Sequence, residues 1–162
     1  LVAPVTLRRR MQELISRETE HARAGRPAAI KAKMNALVDP AIIALLYEAS
    51  QAGVQIDLVV RGMCSLRPGL EGISDTIRVS SVIGRFLEHS RLFWFANGGH
   101  DEMYIGSADW MARNLDRRVE AVVPIEDPEL HGRLLRLINT YLSDNSTAWD
   151  MQSDGKIGRA HV

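Results

Sequence analysis

The sequence predicts an α/β fold, a single domain in which a mixed β-sheet is flanked by helices. Residues 27–34 and 54–60 read as apolar strands, and between them Asp39-Pro40 opens a helix, a strand–helix–strand order that implies a right-handed crossover between parallel strands. Residues 92–95 and 103–107 read as short strands separated by Asn97-Gly98-Gly99, a turn signal, which makes an antiparallel hairpin and so a mixed sheet. Asp127-Pro128 then opens a long helix whose apolar stripe, Leu130, Leu134, Leu135, Leu137, Ile138, Tyr141 and Leu142, suits packing on a sheet.

Taken in order, residues 1–5 are apolar and broken by Pro4, and Thr6 offers a helix cap. Leu7, Met11, Leu14, Ile15 and Ala22 recur at helical spacing and Gly25 supplies a stop, so a helix is expected over 7–24. Its first turn carries Arg8, Arg9 and Arg10, where the helix dipole disfavours cations. They form either a solvated face or a phosphate-facing patch. The strand over 27–34 carries Lys31 and Lys33 and ends at Asn35. After Asp39-Pro40, Ile42, Ile43, Leu45, Leu46 and Ala49 form a wide apolar face that Gly53 ends. Residues 75–80 read as a further strand and 83–88 as one or two helical turns. Residues 119–123 read as another strand, and 144–149 as an edge strand. From Met151 onward the chain turns polar, and 151–162 is expected to be a loose tail after a domain over 1–150.

With 162 residues, 46% hydrophobic and 25% charged, the chain has the balance of an ordinary globular domain. Its formal net charge is zero, so phosphate binding would have to come from locally placed arginines and not from a global field. That argues against a nucleic-acid partner. The single cysteine, Cys64, makes no internal disulfide and fits a reducing, cytoplasmic compartment. No apolar run reaches transmembrane length. The opening LVAP, without an initiator methionine, suggests a piece of something longer.

The chemistry-bearing residues cluster around one apolar strand. His89 precedes it, and Arg91, two residues on, shares a face with His89 if the segment is extended. A lone histidine is more often structural than catalytic. Here, however, the following hairpin ends in Gly106-Ser107-Ala108-Asp109, small polar groups able to fix an imidazole tautomer. Arg61 and Arg67 flank a glycine-bearing loop at the carboxyl end of the strand over 54–60, where open α/β sheets place ligands. Guanidinium forks suit phosphate oxygens there, although a solvated surface loop reads equally well. Arg113, Asn114, Arg117 and Arg118 make a second polar cluster. His21, His100, His131 and His161 lack a supporting constellation, and no metal-binding spacing, Walker loop or dinucleotide glycine pattern is present.

The His89–Arg91 and Gly106–Asp109 segments resemble half of the phospholipase D signature, His-x-Lys followed by Gly-Ser-x-Asn. Arg91 stands in the lysine place and Asp109 in the asparagine place. More widely, KMNALVDPAII, VVRGMCSLRPGLEGISDTIRV, RFLEHSRLFWFANGG and YIGSADWMARNLDRRVE resemble the C-terminal catalytic region of type 1 polyphosphate kinases. That resemblance implies a phospholipase D-like fold. It also implies an enzyme that reversibly moves the terminal phosphate of ATP to inorganic polyphosphate through a phosphohistidine. It assigns His89 as the second active-site histidine and Arg61 as an ATP-phosphate contact. Arg91 would join them in the ATP/phosphate site, with Ser107, Asn114, Arg117, Lys33 and Asn35 as further candidates. The nucleophilic histidine, and the residues through which Mg2+ is mainly bound, would belong to an upstream domain. This chain alone would then be inactive and would hold no metal. ATP or ADP, polyphosphate and the upstream domains are the implied partners. The implied location is cytoplasmic, with membrane association and homo-oligomerisation left open. Two rivals stand beside this reading: a phosphodiesterase completed by homodimerisation, and a non-catalytic polyanion-binding module.

Overall fold

Asp39 makes the first decisive junction. Its carboxylate accepts the Ile42 amide at 3.0 Å and caps the helix α2 (Pro40–Gln51), with Pro40 at a position that needs no donor. That helix joins β2 (Ala29–Met34) to β3 (Gln55–Val60), which lie parallel, Ala29 opposite Gln55 and Met34 opposite Val60. β4 (Ile77–Val82) extends the parallel set. On the other side of β2 run β5 (Leu92–Phe95), β6 (Glu102–Gly106) and β7 (Glu120–Pro124), each antiparallel to its neighbour. Among the described residues β1 (Val2–Ala3), β8 (Ala148–Met151) and β9 (Ile157–Arg159) complete a nine-stranded mixed sheet, in the order β1-β7-β6-β5-β2-β3-β4-β8-β9. This computed structural model describes residues 1–85 and 87–159.

The two faces of the sheet differ because side chains alternate along β2. Ile30, Ala32 and Met34 enter the main core with Leu7, Met11, Leu14 and Ile15 of α1 (Leu7–Arg23) and with Ile42 and Leu46 of α2. Lys31 and Lys33 point the other way, toward α3 (Pro128–Leu142). There the Lys31 ammonium donates to Asn139 at 2.7 Å and Lys33 lies over the Tyr141 ring. This explains a departure from expectation. α3 starts at the Asp127 cap as its sequence predicts, but only Ile138 is fully buried, and Leu130 remains 47% exposed. The sheet face it meets is partly cationic, so its apolar stripe is only half used.

Three other expectations are corrected. Residues 83–88 do not form a helical turn where described; they run irregularly from β4 toward β5, and residue 86 lies outside the described residues. The stretch after Met151 is not a loose tail through its described length, because β9 pairs with β8, Trp149 opposite Arg159 and Met151 opposite Ile157. Thr6 sits at the start of α1 without capping it; its hydroxyl bonds to the Val2 carbonyl and amide instead.

Arg8 is neither solvated nor phosphate-facing. Its guanidinium forms a fork with Asp39, at 3.0 and 2.6 Å, and a second with Asp116. Burial disfavours the Asp39 carboxylate, but the Arg8 bonds and the Ile42 amide outweigh it and hold its pKa below the usual carboxylate value. A depressed carboxylate pKa gives stability that is present above the unfolded value and lost as pH falls through the folded one. Asp39→Ala is therefore expected to cost about 2 kcal/mol at neutral pH, from the lost cap and ion pair together. Urea titrations should show the difference from wild type shrinking as pH falls below about 4.

Candidate functional site

The topology gathers the chemistry at one edge of the sheet. Parallel β2 and β3 both end there, delivering Asn35 and Arg61. β5 is antiparallel to β2, so its beginning, with His89 and Arg91 just ahead of it, lies beside the β2 end. β6 returns antiparallel, bringing Ser107 and Asp109 to the same edge, and β7 starts there with Glu120. The loop after β6 is pinned by Trp110, whose fully buried indole stacks on Phe93 at 5.3 Å and whose carbonyl accepts the amides of Val38 and Asp39. Close approach at this edge requires glycine at two points. A Cβ on Gly106 would lie 2.5 Å from the Ala121 carbonyl oxygen, and one on Gly62 2.9 Å from that of Asn35.

Asp109 organises the centre. Its carboxylate accepts the Arg91 Nε and Nη2 donors at 3.0 and 3.1 Å, and the Asn35 amide at 2.7 Å with the Asn35 side chain beside it. Arg91 Nη1 lies 3.3 Å from His89 Nδ1 and 3.4 Å from the His89 carbonyl oxygen. Guanidinium has donors only, so Nδ1 is the acceptor and the neutral ring carries its proton on Nε2. The His89 ring is exposed, and its Nε2–H is the edge it can offer to a ligand.

Arg91, expected in the phosphate site, has its donors engaged within the protein, Nε and Nη2 on Asp109 and Nη1 toward His89. Asn35 is likewise bound to Asp109. Ser107 donates to Glu120, and Asn114 donates to the other oxygen of the same carboxylate at 2.6 Å, so these two line a buried acidic node. Lys33 is 2% exposed and bonds the main chain around His89; burial, with Arg61 and Arg91 nearby, lowers its pKa below the ordinary lysine value although Glu88 pulls it back. Arg67 donates to the Ser153 carbonyl from Nε and Nη2, which ties its loop to the β8–β9 turn. Cys64 is a half-buried free thiol whose pKa burial pushes up, consistent with an inert group.

Arg61 differs from these. Among the described residues it has no ion pair, and its Nη1 is buried without a hydrogen-bond partner. It borders a cavity of about 310 Å³ walled by Val60, Val79, Ile83, Trp149 and Met151. Arg113, Arg117 and Arg118, around the π-helical turn Arg113–Arg117, are exposed, with Asp116 between them already paired to Arg8. The edge therefore presents an uncommitted guanidinium and an imidazole N–H, both able to meet an anion.

Sequence reasoning overlooked Glu120, Glu88 and Tyr141. The signal for Glu120 was a carboxylate opening an otherwise apolar strand. Glu88 and Tyr141 meet only through the tertiary fold, the Tyr141 hydroxyl donating to the Glu88 carboxylate.

The family profile described as polyphosphate kinase C-terminal domain 2 matches residues 1–162. Polyphosphate kinase from Parasynechococcus marenigrum (strain WH8102) is 70% identical over 155 residues, covering 96% of this chain and 22% of that protein. The Pseudomonas aeruginosa polyphosphate kinase is 55% identical over 159 residues, covering 98% of this chain and 23% of that protein. The crystal structure of polyphosphate kinase from Porphyromonas gingivalis superposes with a TM-score of 0.96 at 41% identity, over the whole chain and 25% of that protein. Nuc from Salmonella typhimurium, a phospholipase D family member, shares the fold at a TM-score of 0.63 and 17% identity, over 94% of this chain and 95% of that one. The chain thus spans about a quarter or less of the polyphosphate kinases it matches, and it belongs to the polyphosphate kinase C-terminal domain 2 family.

Proposed function

We propose that the chain supplies part of the active site of an ATP-polyphosphate phosphotransferase, contributing Arg61 and His89 to a centre whose nucleophilic histidine lies elsewhere in the enzyme. The observation that carries this reading is the Asp109–Arg91–His89 chain of hydrogen bonds. It presents the imidazole with Nε2–H outward, as a donor, at the same sheet edge as Arg61, whose Nη1 has no protein partner among the described residues. A nucleophilic Nε2 would need its lone pair outward and an acceptor at Nδ1, and Arg91 cannot accept. His89 therefore assists: it donates to a phosphate oxygen as negative charge builds there, while Arg61 holds the neighbouring oxygens of ATP or polyphosphate. Arg117, with Arg113 and Arg118, extends the cationic surface along which a linear polyanion would lie.

Magnesium would accompany the nucleotide. At this edge Glu88, Asp109 and Glu120 each accept from a protein donor, and among the described residues no group of three or more His, Cys, Asp or Glu is placed to hold a metal. Among the described residues no helix is long and apolar enough to cross a membrane, and a cytoplasmic setting is the one in which ATP and ADP are at hand.

Arg61→Ala in the full-length enzyme tests the phosphate contact. It is expected to raise the KM for ATP by about 10- to 100-fold, the worth of a charge-assisted bond to phosphate. An unchanged KM would remove Arg61 from the site. Salt-sensitive polyphosphate binding that is lost in Arg61→Ala while His89→Ala leaves turnover intact would favour a binding module over a catalytic one.

A further inference from the structure

The β2–β5 ladder stops at Lys33 opposite Leu92, so the residues that carry His89 lie beyond strand pairing. Something else must hold them. Lys33 reaches out from the last part of β2 and donates to the Glu88 carbonyl at 3.3 Å, the Ser90 carbonyl at 3.1 Å and the Ser90 hydroxyl at 3.0 Å. Three ammonium donors meet three acceptors, and the two carbonyls belong to the residues on either side of the imidazole. The Tyr141 ring, 4.8 Å from Nζ, covers the ammonium, and its hydroxyl donates to Glu88. A buried cation is costly unless its donors are satisfied, so this one is retained against its desolvation by a specific set of partners.

We infer that Lys33, covered by Tyr141, is a positioning residue for His89, replacing the absent strand pairing with an ammonium clamp on the peptide groups at both sides of the ring. This rests on the proposed role of His89. Lys33 itself touches no substrate: its three donors are spent on protein acceptors. Arg91 fixes the ring from one side through Nδ1, and Lys33 fixes the backbone beneath it. Displacing the ring by about 1 Å is enough to cost roughly 100-fold in a reaction that depends on alignment.

The test uses the full-length enzyme with Lys33→Met, Lys33→Gln and His89→Ala, and reads turnover together with amide hydrogen exchange of the peptides spanning 84–92. Lys33→Met keeps the length and the apolar stem and removes the donors. It is expected to lower kcat by about tenfold or more with the KM for ATP within about twofold, since ground-state binding is untouched. Exchange should rise at 87–91 and stay unchanged in β3. Unchanged exchange at 87–91, or unchanged kcat when His89→Ala is impaired, overturns the clamp. Turnover retained in His89→Ala overturns the catalytic reading of His89, while the exchange result still decides whether Lys33 holds the segment. If Lys33→Met does not fold, Lys33→Gln, which keeps a polar end but removes the charge and the threefold donor set, carries the test. Faster exchange at 87–91 with a lower kcat supports the inference, and a wild-type value for either overturns it.

Discussion

His89→Ala in the full-length enzyme is expected to reduce polyphosphate synthesis by roughly 10²- to 10⁴-fold, the range for removing a positioned proton-handling group. Two further substitutions separate its possible roles. Glutamine places an amide N–H near the position of Nε2, and asparagine places one near Nδ1. Because Arg91 occupies Nδ1, donation comes from Nε2, so His89→Gln is expected to retain more turnover than His89→Asn. Equal loss in both would argue against donation through Nε2. Phosphopeptide mapping after incubation with ATP adds an independent readout, since a ring that directs N–H outward is not the group that accepts phosphorus. Stable phosphate on His89, in place of another histidine of the enzyme, would overturn the assignment. The isolated chain, which holds no second imidazole at this edge among its described residues, is expected to make no polyphosphate.

Asp109→Ala is expected to be the most destabilising change at this edge, costing about 3–5 kcal/mol by denaturant melts. Its carboxylate is 8% exposed and neutralises an Arg91 side chain that is 13% exposed, while accepting the Asn35 amide. Removing it strands a mostly buried guanidinium and a buried peptide donor together. Asp109→Asn keeps the shape and one oxygen acceptor, and places at this position the residue type of the phospholipase D signature. It should cost less in stability than alanine, because Asn35 and one Arg91 donor can still be satisfied. It should nonetheless lower turnover, because Arg91 is then held by a neutral group and orients His89 less firmly. A loss under about 1 kcal/mol for Asp109→Ala would mean that the Arg91 pair is not the strut the geometry makes it.

Much of the fold was legible because its determinants are local. Asp39-Pro40 and Asp127-Pro128 each place a carboxylate three residues before the amide it caps, so both helix starts follow from adjacent residues. The strands from β2 to β7 announce themselves by apolar character and by Asn97-Gly98-Gly99, where Asn97 and both glycines adopt positive φ. The failures have the opposite character. Residues 83–88 carry enough apolar residues for a helical turn, yet their Glu88 partners, Lys33 and Tyr141, lie 55 and 53 positions away. The stretch after Met151 looks too polar for structure, but pairing to β8 satisfies its backbone regardless of side-chain character.

The candidate site divides in the same way. Residue type and order alone singled out His89, Arg61, Arg91 and the Gly106–Asp109 turn, because phosphate chemistry needs imidazole and guanidinium and such groups are few near an apolar strand. Which cations are consumed within the protein was decided only in three dimensions. Lys33, Arg8, Arg67 and Arg91 carry the same formal charge as Arg61, but each meets acceptors brought from distant parts of the chain, and a cation whose donors are filled has little left to offer an anion. Net charge and spacing are properties of the chain; vacancy in a hydrogen-bonding shell is a property of its packing.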